Sequence, residues 1–424
     1  MGAKRPAGGR MWPISEDGRL DRLVVFAPLG GGAAPVGELV FEGRERSRSF
    51  FRYARSWLEN ARERLSLAPV LPLRARAVAS TPHALPLFFY DAAPDGWGKA
   101  VLTFAYPAQA WGMGEFLAAA GDDRTGDLSF GPDPDGPERF VPGPAMIESP
   151  EQEASLEDLM AAAQAVEEGR PRQHHLDLLF RGSADIGGAR PKTRIRRDGR
   201  SWIAKFPALG DVFDDPRLEA VCLDLAGACG LEAPGHDVIR VAGRSVLLVE
   251  RFDRGPQEQR HGYMSAATLV GQPPGEYASA SSYADLAATA RERGIRPCEA
   301  ELFRRLLFNC FIHNTDDHLR NHAFLRCGRE WALSPVFDIV PNRQRRLVLA
   351  PAPGFLPEPD PLAAFGAHAH FRLDQRAAAA IYDEVVAGLA DLLQAFDRRE
   401  VTARDRETVL SMVPFAVNPP ALNG

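Results

Sequence analysis

One polar stretch, residues 313–321, contains side chains whose types and spacing could transfer a phosphoryl group. It reads His-Asn-Thr-Asp-Asp-His-Leu-Arg-Asn. Asp316 precedes Asn321 by five positions, which is the order and spacing in which a phosphoryl-transfer enzyme presents a catalytic base and a magnesium-binding amide. Asp and Asn are also common in loops because their side chains cap local backbone, so the spacing alone more often marks an ordinary loop.

The elements on either side of this stretch could hold it rigidly. Upstream, Glu301 to Phe311 has apolar residues at helical spacing and predicts a buried helix that ends where the polar stretch begins. Downstream, His322 to Arg326 and Trp331 to Val336 predict two short strands, and the second runs into Asp338. A magnesium ion takes oxygen ligands, usually with only one or two carboxylates, so Asp338 is a fitting second ligand beside Asn321.

A glycine-containing stretch could approach a phosphate group. Arg181 to Thr193 reads R-G-S-A-D-I-G-G-A-R-P-K-T. Gly187 and Gly188 allow backbone amides to come close to a ligand, and Arg190 and Lys192 add positive charge beside them. A surface hairpin turn with solvated basic residues explains the same segment and is favoured on this stretch alone.

A lysine within a strand follows. Ser201 to Phe206, S-W-I-A-K-F, predicts a short strand in which Lys205 resembles the kinase lysine that holds the α- and β-phosphates. A strand lysine is usually only an outward charge. The next helix begins at Asp215-Pro216, and its Glu219 could pair with Lys205 or simply favour the helix N-terminus.

A hairpin then leads into a charged strand end. Val238 to Val241 and Ser245 to Val249 predict its strands, and residues 250–254 read Glu-Arg-Phe-Asp-Arg. In a kinase this is the hinge that recognises adenine, whereas the alternative is a salt-bridged strand end. The order of all these parts is the stronger evidence, because it is the order in which a kinase presents its glycine loop, lysine, hinge, base and metal ligands.

Bulk properties exclude several classes of protein. The 424 residues are 45% hydrophobic and 25% charged, an ordinary globular composition with room for two or three cores. A net charge of -6 argues against a protein that coats nucleic acid. No apolar run approaches membrane-spanning length and Met1 to Arg10 lacks the apolar core of a signal peptide, so the expected location is the cytoplasm, with no membrane partner.

Metal and disulfide chemistry are not indicated by the Cys and His residues. The five cysteines show no C-x-x-C spacing. Cys222 and Cys310 fall on predicted apolar helix faces, which favours buried thiols. His313, His318 and His322 lie in a predicted loop and not on one helix face, so a loop-orienting role for His318 is favoured over a zinc site.

The amino-terminal part of the chain predicts a separate domain. Its first 18 or so residues, rich in Gly, Arg, Pro and Lys, are expected to be a mobile tail. Leu23 to Ala27 and Gly37 to Phe41 predict strands, and Phe50 to Leu58 predicts a helix. A region rich in Gly, Asp and Pro ends near Pro144 and marks a domain boundary, after which Ser155 to Val166 predicts a helix.

Seven motifs together resemble the HipA family of bacterial serine/threonine kinase toxins, over roughly residues 20–400. They are P-D-G-W-G at 94–98, G-D-L-S-F-G-P at 126–132, G-G-A-R-P-K-T at 187–193, W-I-A-K-F-P at 202–207, V-E-R-F-D-R at 249–254, N-T-D-D-H-L-R-N at 314–321 and S-P-V-F-D at 334–338. The resemblance implies an α+β protein with a two-lobed protein-kinase-like fold, preceded by a smaller α/β amino-terminal domain. Its parts are expected at 1–18 (tail), 19–145 (HipA-type amino-terminal domain), 146–255 (small lobe with nucleotide loop and hinge) and 256–415 (helical large lobe with catalytic loop).

The resemblance also implies a role for each motif residue, with ATP and Mg²⁺ as the bound groups. It makes Asp316 the catalytic base, Asn321 and Asp338 the metal ligands, Lys205 a phosphate-binding residue, Glu250 and Phe252 part of the adenine hinge, and Gly187, Gly188 and Lys192 part of the flexible loop that covers the nucleotide. Loss of Asp316 is expected to remove turnover without preventing folding.

Autophosphorylation is a further property that the resemblance implies. In the family, a serine in or just before the nucleotide loop is phosphorylated, which expels the loop and switches the kinase off. Ser183 is the only serine in this segment and is therefore the candidate. Asp185 stands where some relatives carry a phosphorylatable serine, and a carboxylate mimics a phosphate only partly because it has less charge and fewer acceptor oxygens.

The expected function is that of an ATP-dependent serine/threonine protein kinase acting as the toxin of a bacterial toxin-antitoxin system. The resemblance implies a protein substrate such as an aminoacyl-tRNA synthetase, and a HipB-like helix-turn-helix antitoxin through which alone the chain would meet DNA. Two alternatives stay open. One is a kinase for a small-molecule hydroxyl, and the other is an inactive kinase-like regulatory subunit that binds a DNA-binding partner.

Overall fold

The computed structural model describes residues 10–43, 46–60, 65–80, 82–142, 154–184, 187–188, 190–276 and 281–422. The chain divides into two compact units: unit 1 is Met1–Leu209 with Asp253–Met264, and unit 2 is Gly210–Phe252 with Ser265–Gly424. The domain boundaries expected from the sequence remain a prediction. Asp185 and the first nine residues of the expected tail lie outside the described residues. Within the described part of the chain, no helix is both long and apolar enough to cross a membrane.

Unit 1 contains a five-stranded antiparallel sheet with the strand order β4-β3-β2-β1-β5. Its strands are β1 (Arg22–Leu29), β2 (Gly32–Glu42), β3 (Arg48–Tyr53), β4 (Val78–Ala79) and β5 (Ser129–Gly131). The two strands predicted at 23–27 and 37–41 are confirmed and extend further in both directions.

The helix predicted over Phe50 to Leu58 is wrong in its first half, which forms strand β3. Phe51 and Tyr53 are buried while Arg52 between them is exposed, an alternation with the period of a strand. Pairing with β2 satisfies the backbone of this segment. The aromatic side chains therefore pack on one face of the sheet, and a helix of only five residues follows at Arg55–Glu59.

Unit 1 also contains helices and further strands. They are α1 (Arg55–Glu59), α2 (Leu87–Tyr90), α3 (Gly96–Ala105), α4 (Met113–Ala119), α5 (Leu156–Glu167), α6 (Gln173–Ser183), β6 (Lys192–Arg197), β7 (Arg200–Lys205) and β10 (Gly262–Ser265). The last residue of β10 belongs to unit 2. Helix α5 confirms the helix predicted at 155–166. Ser155 caps it by accepting a hydrogen bond from the Asp158 amide.

Unit 2 is mainly helical. Its elements are α7 (Asp215–Ala228), β8 (His236–Val241), β9 (Arg244–Glu250), α8 (Ala266–Val270), α9 (Tyr283–Glu292), α10 (Glu299–Phe311), β11 (Ala323–Cys327), β12 (Glu330–Leu333), α11 (Pro361–Phe365), α12 (Gln375–Leu389), α13 (Leu392–Arg398), α14 (Ala403–Met412) and α15 (Pro414–Val417). The strands predicted on both sides of residue 243 and after residue 321 are confirmed by β8, β9, β11 and β12, except that β12 ends at Leu333 and not at the predicted Val336.

Two hairpins have tight turns that glycine makes possible. The turn between β6 and β7 is Asp198-Gly199, with φ values of 52° and 75°, and the turn between β8 and β9 is Ala242-Gly243, with φ values of 48° and 80°. Two consecutive residues with positive φ define the turn that matches the twist of antiparallel strands. The register of each hairpin is therefore fixed locally.

Helix α10 is the centre of unit 2 and confirms the buried helix predicted ahead of residue 313. Leu302, Phe303, Leu306, Leu307 and Phe311 are each 0% exposed. The helix packs against α9, α11, α12 and α15. Because burying each such side chain contributes about 1.5 to 3 kcal/mol, the end of α10 is a rigid support for the loop that follows.

Candidate active site

The loop after α10 presents Asp316 to solvent. Residues 314–318 have no regular structure, and a short 3₁₀ turn covers Leu319–Asn321. The Asp316 side chain is exposed, whereas its backbone carbonyl accepts a hydrogen bond of 2.9 Å from Asn321 Nδ2. Because the acceptor is a carbonyl, the nitrogen of the Asn321 amide must face it, which leaves Oδ1 of Asn321 to act as a ligand or acceptor.

Two tethers hold the residues on either side of Asp316. His313 Nδ1 lies 2.7 Å from the Asn342 carbonyl oxygen, and the Asn342 amide donates to the His313 carbonyl at 2.9 Å. After Asp316, Asp317 Oδ1 accepts hydrogen bonds from the amides of Val348 and Leu349 at 2.9 and 3.4 Å. The loop is therefore fastened at two points to the segment 342–349.

A network of buried hydrogen bonds connects the same loop to the helices beneath it. Asn314 Nδ2 donates to Asn309 Oδ1 at 3.0 Å, and Asn309 Nδ2 donates to the Tyr283 hydroxyl at 2.7 Å. All three side chains are buried, with exposed fractions between 0 and 4%. A buried polar group is costly unless it is hydrogen bonded. These hydrogen bonds therefore fix the position of the loop relative to α9 and α10.

A small cavity with polar and apolar lining lies beneath the loop 314–321. Its volume is about 20 Å³, enough for roughly one water molecule. Its polar lining comes from Arg305, Asn309, Asn314, Asp317, Asn321 and His322, and its apolar lining includes Phe337. Burial lowers the pKa of His322 to about 3, so its imidazole is neutral.

The Asp317 carboxyl is fully buried, and burial raises its pKa to about 7. The Tyr283 hydroxyl and the amides of Val348 and Leu349 act in the opposite direction. An unfolded Asp has a pKa of about 3.9. Between these two values the folded state holds a proton that the unfolded state has released, so the free energy of unfolding falls as the pH rises through this window.

Asp317→Asn is therefore expected to flatten the pH dependence of stability. From about pH 5 to about pH 8, we expect the wild-type chain to lose roughly 2 kcal/mol of unfolding free energy that the variant does not lose. The asparagine retains an oxygen for the two backbone amides but has no proton to release. Urea unfolding across this pH range measures the effect, and Asp383→Asn on the exposed face of α12 is the control. Parallel profiles for wild type and Asp317→Asn would contradict it.

Asp338 lies five residues after the end of β12, in an unusual backbone conformation. Its φ is 53°, in the left-handed region that few residues other than Gly, Asn and Asp adopt readily. The preceding Phe337 lines the same cavity as Asn321. Phe337 also contacts Phe252, with ring centroids 5.4 Å apart. The cavity and this aromatic contact thus connect Asn321, the segment before Asp338 and the expected hinge.

Glu250, the other expected hinge residue, ends β9 beside a glycine. Its amide donates to the Gly235 carbonyl at 2.7 Å. A Cβ atom at Gly235 would lie 2.6 Å from Glu250 Oε2, so a larger residue there would displace the Glu250 carboxylate. Unit 2 therefore contains Asp316, Asn321, Asp338, Glu250 and Phe252, which are five of the residues to which the sequence assigned a role.

The other expected ligand-binding residues lie in unit 1. Lys192 and Lys205 are directly opposite one another across β6 and β7, the first buried and the second partly buried. Gly188 has a φ of 90°, and a Cβ atom there would collide with Lys192 Nζ. Glycine is favoured at 188 because this positive φ strains residues with a side chain, and the lysine ammonium occupies the space that a Cβ atom would take.

Trp97 holds this glycine stretch, a role that the sequence did not reveal. Its backbone amide donates to the Gly188 carbonyl at 3.1 Å, and its Nε1 donates to the Lys192 carbonyl at 2.8 Å. Trp97 is only 3% exposed. The motif P-D-G-W-G was the available signal, although nothing in it specifies a partner more than ninety positions away.

Ser183, the candidate for autophosphorylation, is not accessible in this conformation. It is the last residue of α6 and is 0% exposed. Its Oγ donates to the Lys192 carbonyl at 2.8 Å, the same oxygen that Trp97 contacts. Phosphorylation of Ser183 therefore requires the end of α6 to leave this position.

A second pair of motifs in unit 1 makes structural contacts. Asp253 Oδ2 accepts from the Gly126 amide at 2.9 Å and from Arg254 Nη1 at 2.8 Å. Arg260 Nη2 donates to the Leu128 carbonyl at 2.7 Å. The charged end of V-E-R-F-D-R thus binds the backbone of G-D-L-S-F-G-P. These contacts are those expected of a salt-bridged strand end, which was the alternative prediction for this segment.

Comparison with known families defines the class of protein. The model of the HipA N-terminal domain matches residues 31–131, and the model of the HipA-like C-terminal domain matches residues 184–393. Together the two matches span most of the chain. The chain therefore belongs to the HipA family, as its motifs indicated.

A solved structure supports the same fold. The chain is similar to HipA of the Shewanella oneidensis MR-1 toxin-antitoxin system, which was solved in complex with HipB and its operator DNA. The TM-score is 0.63 at 16% identity, over 93% of this chain and 96% of that one. The expected fold class is confirmed: a mixed helix and sheet protein with an amino-terminal domain ahead of a kinase-like carboxy-terminal domain.

Two curated relatives from Sinorhizobium fredii bear the names "Putative kinase Y4dM" and "Putative kinase Y4mE". The chain is 25% identical to Y4dM over 223 residues, which is 48% of this chain and 53% of Y4dM. It is 25% identical to Y4mE over 315 residues, which is 68% of this chain and 71% of Y4mE. The chain thus spans about half the length of the first relative and more of the second.

Proposed function

We propose that this chain is an ATP-dependent serine/threonine protein kinase and the toxin of a bacterial toxin-antitoxin system. The observation that carries the proposal is the geometry around Asp316. Its carboxylate is exposed, its carbonyl is bonded to Asn321, and the residues on both sides are tethered to the segment that follows Asp338. An ordinary loop does not need an exposed carboxylate held between a half-buried and a buried anchor, whereas a general base does.

In the proposed reaction, Asp316 orients a serine or threonine hydroxyl and accepts its proton as the oxygen attacks the γ-phosphorus of ATP. The bond from that phosphorus to the bridging oxygen breaks, and ADP leaves. Lys205 offers positive charge to the phosphates. Glu250 and Phe252 border the adenine, and the amides of Gly187 and Gly188 approach the phosphate oxygens.

Asn321 and Asp338 fit a magnesium ion by the chemistry of their donors. Asn321 uses its nitrogen to bind the Asp316 carbonyl, so its oxygen is the atom available to a hard cation. Among the described residues no group of three or more His, Cys, Asp or Glu is suited to a metal, as expected for an ion that takes its other ligands from phosphate and water. When bound, magnesium neutralises the negative charge that develops on the phosphate oxygens.

The proposed partners follow from the family. HipA of Shewanella oneidensis was solved with HipB and operator DNA, which supports a HipB-like helix-turn-helix antitoxin for this chain and contact with DNA only through it. A translation component such as an aminoacyl-tRNA synthetase is the proposed protein substrate. We further propose a cytoplasmic location. A short helix-turn-helix gene beside the gene for this chain would support the toxin assignment.

Transfer of labelled phosphate from ATP tests the proposed function. The wild-type chain is incubated with magnesium, alone and in a bacterial lysate, and compared with Asp316→Asn. Label on one lysate protein or on Ser183, absent with the variant, would support the kinase and identify its target. Label on a small-molecule hydroxyl would favour a small-molecule kinase. ATP binding without any transfer would favour the regulatory-subunit alternative.

Trp97→Phe is expected to weaken nucleotide binding about three- to tenfold. The substitution removes the indole N–H that holds the Lys192 carbonyl, and loss of one hydrogen bond costs about 1 kcal/mol. Calorimetric titration with a non-hydrolysable ATP analogue measures the change. Trp111→Phe is the matched control, because its Nε1 donates to the Tyr106 carbonyl at 3.3 Å, away from the glycine stretch. Equal weakening by both variants would indicate general destabilisation instead.

A further inference from the structure

Four exposed residues, 343–346, form a strongly basic loop in unit 2. The sequence there is Arg343-Gln344-Arg345-Arg346, and all four side chains are exposed. Among the described residues none of the three guanidinium groups forms an ion pair with a carboxylate, although Arg343 lies over the Phe213 ring at 5.2 Å. On a chain with a net charge of -6, these arginines form a local basic surface and offer fork-shaped donors to an anionic partner.

The basic loop is fixed next to Asp316 at both of its ends. Its first end follows Asn342, which makes two hydrogen bonds with His313. Its other end precedes Val348, whose amide donates to Asp317 Oδ1 at 2.9 Å. His313 lies three residues before Asp316 and Asp317 immediately after it. The same tethers that hold the candidate base therefore hold the backbone of the basic loop close to it.

The ends of the loop are also anchored in the core, so its position is not that of a free surface turn. Leu347 and Leu349 are 3% and 0% exposed. The Leu347 amide donates to the Pro357 carbonyl at 2.8 Å, and the Gln344 amide donates to Asn342 Oδ1 at 3.0 Å. The guanidinium groups can move, but the backbone that carries them is held at both ends.

We propose that Arg343, Arg345 and Arg346 bind carboxylates that flank the acceptor hydroxyl, so that the enzyme selects a serine or threonine within an acidic stretch of its protein substrate. The inference rests on the proposed kinase function and specifies its substrate class. Each guanidinium group can form a two-pronged contact with one carboxylate. Because salt screens exposed charges beyond about 8 Å at physiological ionic strength, only carboxylates close to the acceptor contribute.

A peptide fits this loop better than a nucleic acid does. Binding to a phosphate backbone uses basic residues that follow it over many nucleotides, whereas the basic loop spans four residues. The net charge of -6 repels a long polyanion. A short stretch with two or three acidic residues matches the number of arginines on the loop.

Acceptor peptides with matched flanks test the inference. One peptide carries a serine with glutamates on both sides, and the second carries glutamines in their place. The triple variant R343Q/R345Q/R346Q removes the charge of the basic loop. A control triple, R293Q/R296Q/R376Q, removes the same charge from exposed arginines elsewhere in unit 2. Thermal unfolding of each variant verifies that it is folded.

The wild-type chain is expected to prefer the glutamate peptide at least about tenfold in kcat/KM, with a preference that weakens as salt is added. The basic-loop variant should reduce the preference to about twofold or less, and the control triple should retain it. A preference for the glutamine peptide, or one that persists in the basic-loop variant, overturns the inference. Loss of affinity for poly(U) RNA in that variant with no change in peptide preference would show that the loop binds nucleic acid instead.

A binding measurement separates failure of this inference from failure of the kinase proposal. Both peptides are made with alanine in place of serine, and fluorescence anisotropy gives their Kd for each variant. At least about tenfold tighter binding of the glutamate peptide, lost in the basic-loop variant alone, supports the acidic partner even when no phosphate is transferred. Equal Kd values for the two peptides contradict it, whatever the transfer assay shows.

Discussion

Replacing Asp316 by Asn is expected to lower kcat for phosphate transfer by about 10³-fold and to change the unfolding free energy by less than about 0.5 kcal/mol. The two effects separate because the Asp316 carboxylate is exposed and makes no hydrogen bond or ion pair among the described residues. The contact that holds this position is made by its backbone carbonyl with Asn321. An asparagine keeps the shape of the side chain but cannot accept the proton of the attacking hydroxyl.

The measurement is steady-state transfer to the target found by lysate labelling, together with the Kd for ATP. Nucleotide affinity should change little, since a general base acts on the acceptor and not on the nucleotide. Asp383→Asn removes an equally exposed carboxylate from α12 and should keep wild-type activity. If Asp316→Asn retains more than about a tenth of the activity, another group accepts the proton and the proposed role of Asp316 is wrong.

The parts of unit 2 that support the candidate site were predictable because local patterns determine them. Leu302, Phe303 and Leu306 recur at the helical period, so α10 could be placed from the sequence. Two-residue turns that contain glycine determine the hairpins in the same way. The D-x-x-x-x-N spacing indicated a loop with a possible base and metal ligand. The order of the surrounding elements then favoured a kinase over an ordinary loop.

The tethers of the loop could not be predicted, because each joins residues that are distant in sequence. Asp317 Oδ1 binds the amide of Val348, 31 positions away, and no local pattern specifies which amide an aspartate will find. Asp317 had no predicted role, because the motif spacing pointed to its neighbour Asp316 as the base. Its burial and raised pKa follow only from the packing of α9 and the segment 347–349 around it.

The aromatic run at 50–58 shows a different limit. Phe50, Phe51, Tyr53 and Trp57 are compatible with a helix face, and a short apolar run does not by itself distinguish helix from strand. Pairing of β3 with β2 along Gly37 to Glu42 decided the outcome. Tertiary pairing thus overrode a weak local preference, and the error concerned unit 1 and not the loop 314–321.

Asp338→Asn is expected to lower kcat by on the order of 100-fold and to raise the magnesium concentration needed for half-maximal activity. With a φ of 53°, position 338 suits Asn nearly as well as Asp, so the backbone should be preserved and only the negative charge removed. A neutral oxygen remains as a weaker ligand for a divalent cation. Magnesium titration of wild type and variant, with nucleotide binding measured in parallel, resolves the effect. An unchanged magnesium requirement would show that Asp338 is not a ligand.

Moving the carboxylate to position 321 should not rescue this variant. In the double variant Asp338→Asn with Asn321→Asp, the site has one Asp and one Asn again, as in the wild type. An aspartate at 321, however, cannot donate the hydrogen bond that Asn321 Nδ2 makes to the Asp316 carbonyl, and it sets a negative charge against that oxygen. Activity should therefore fall below that of Asp338→Asn alone. Recovery in the double variant would show that only the summed charge matters, whereas further loss would show that the amide at 321 also positions the base.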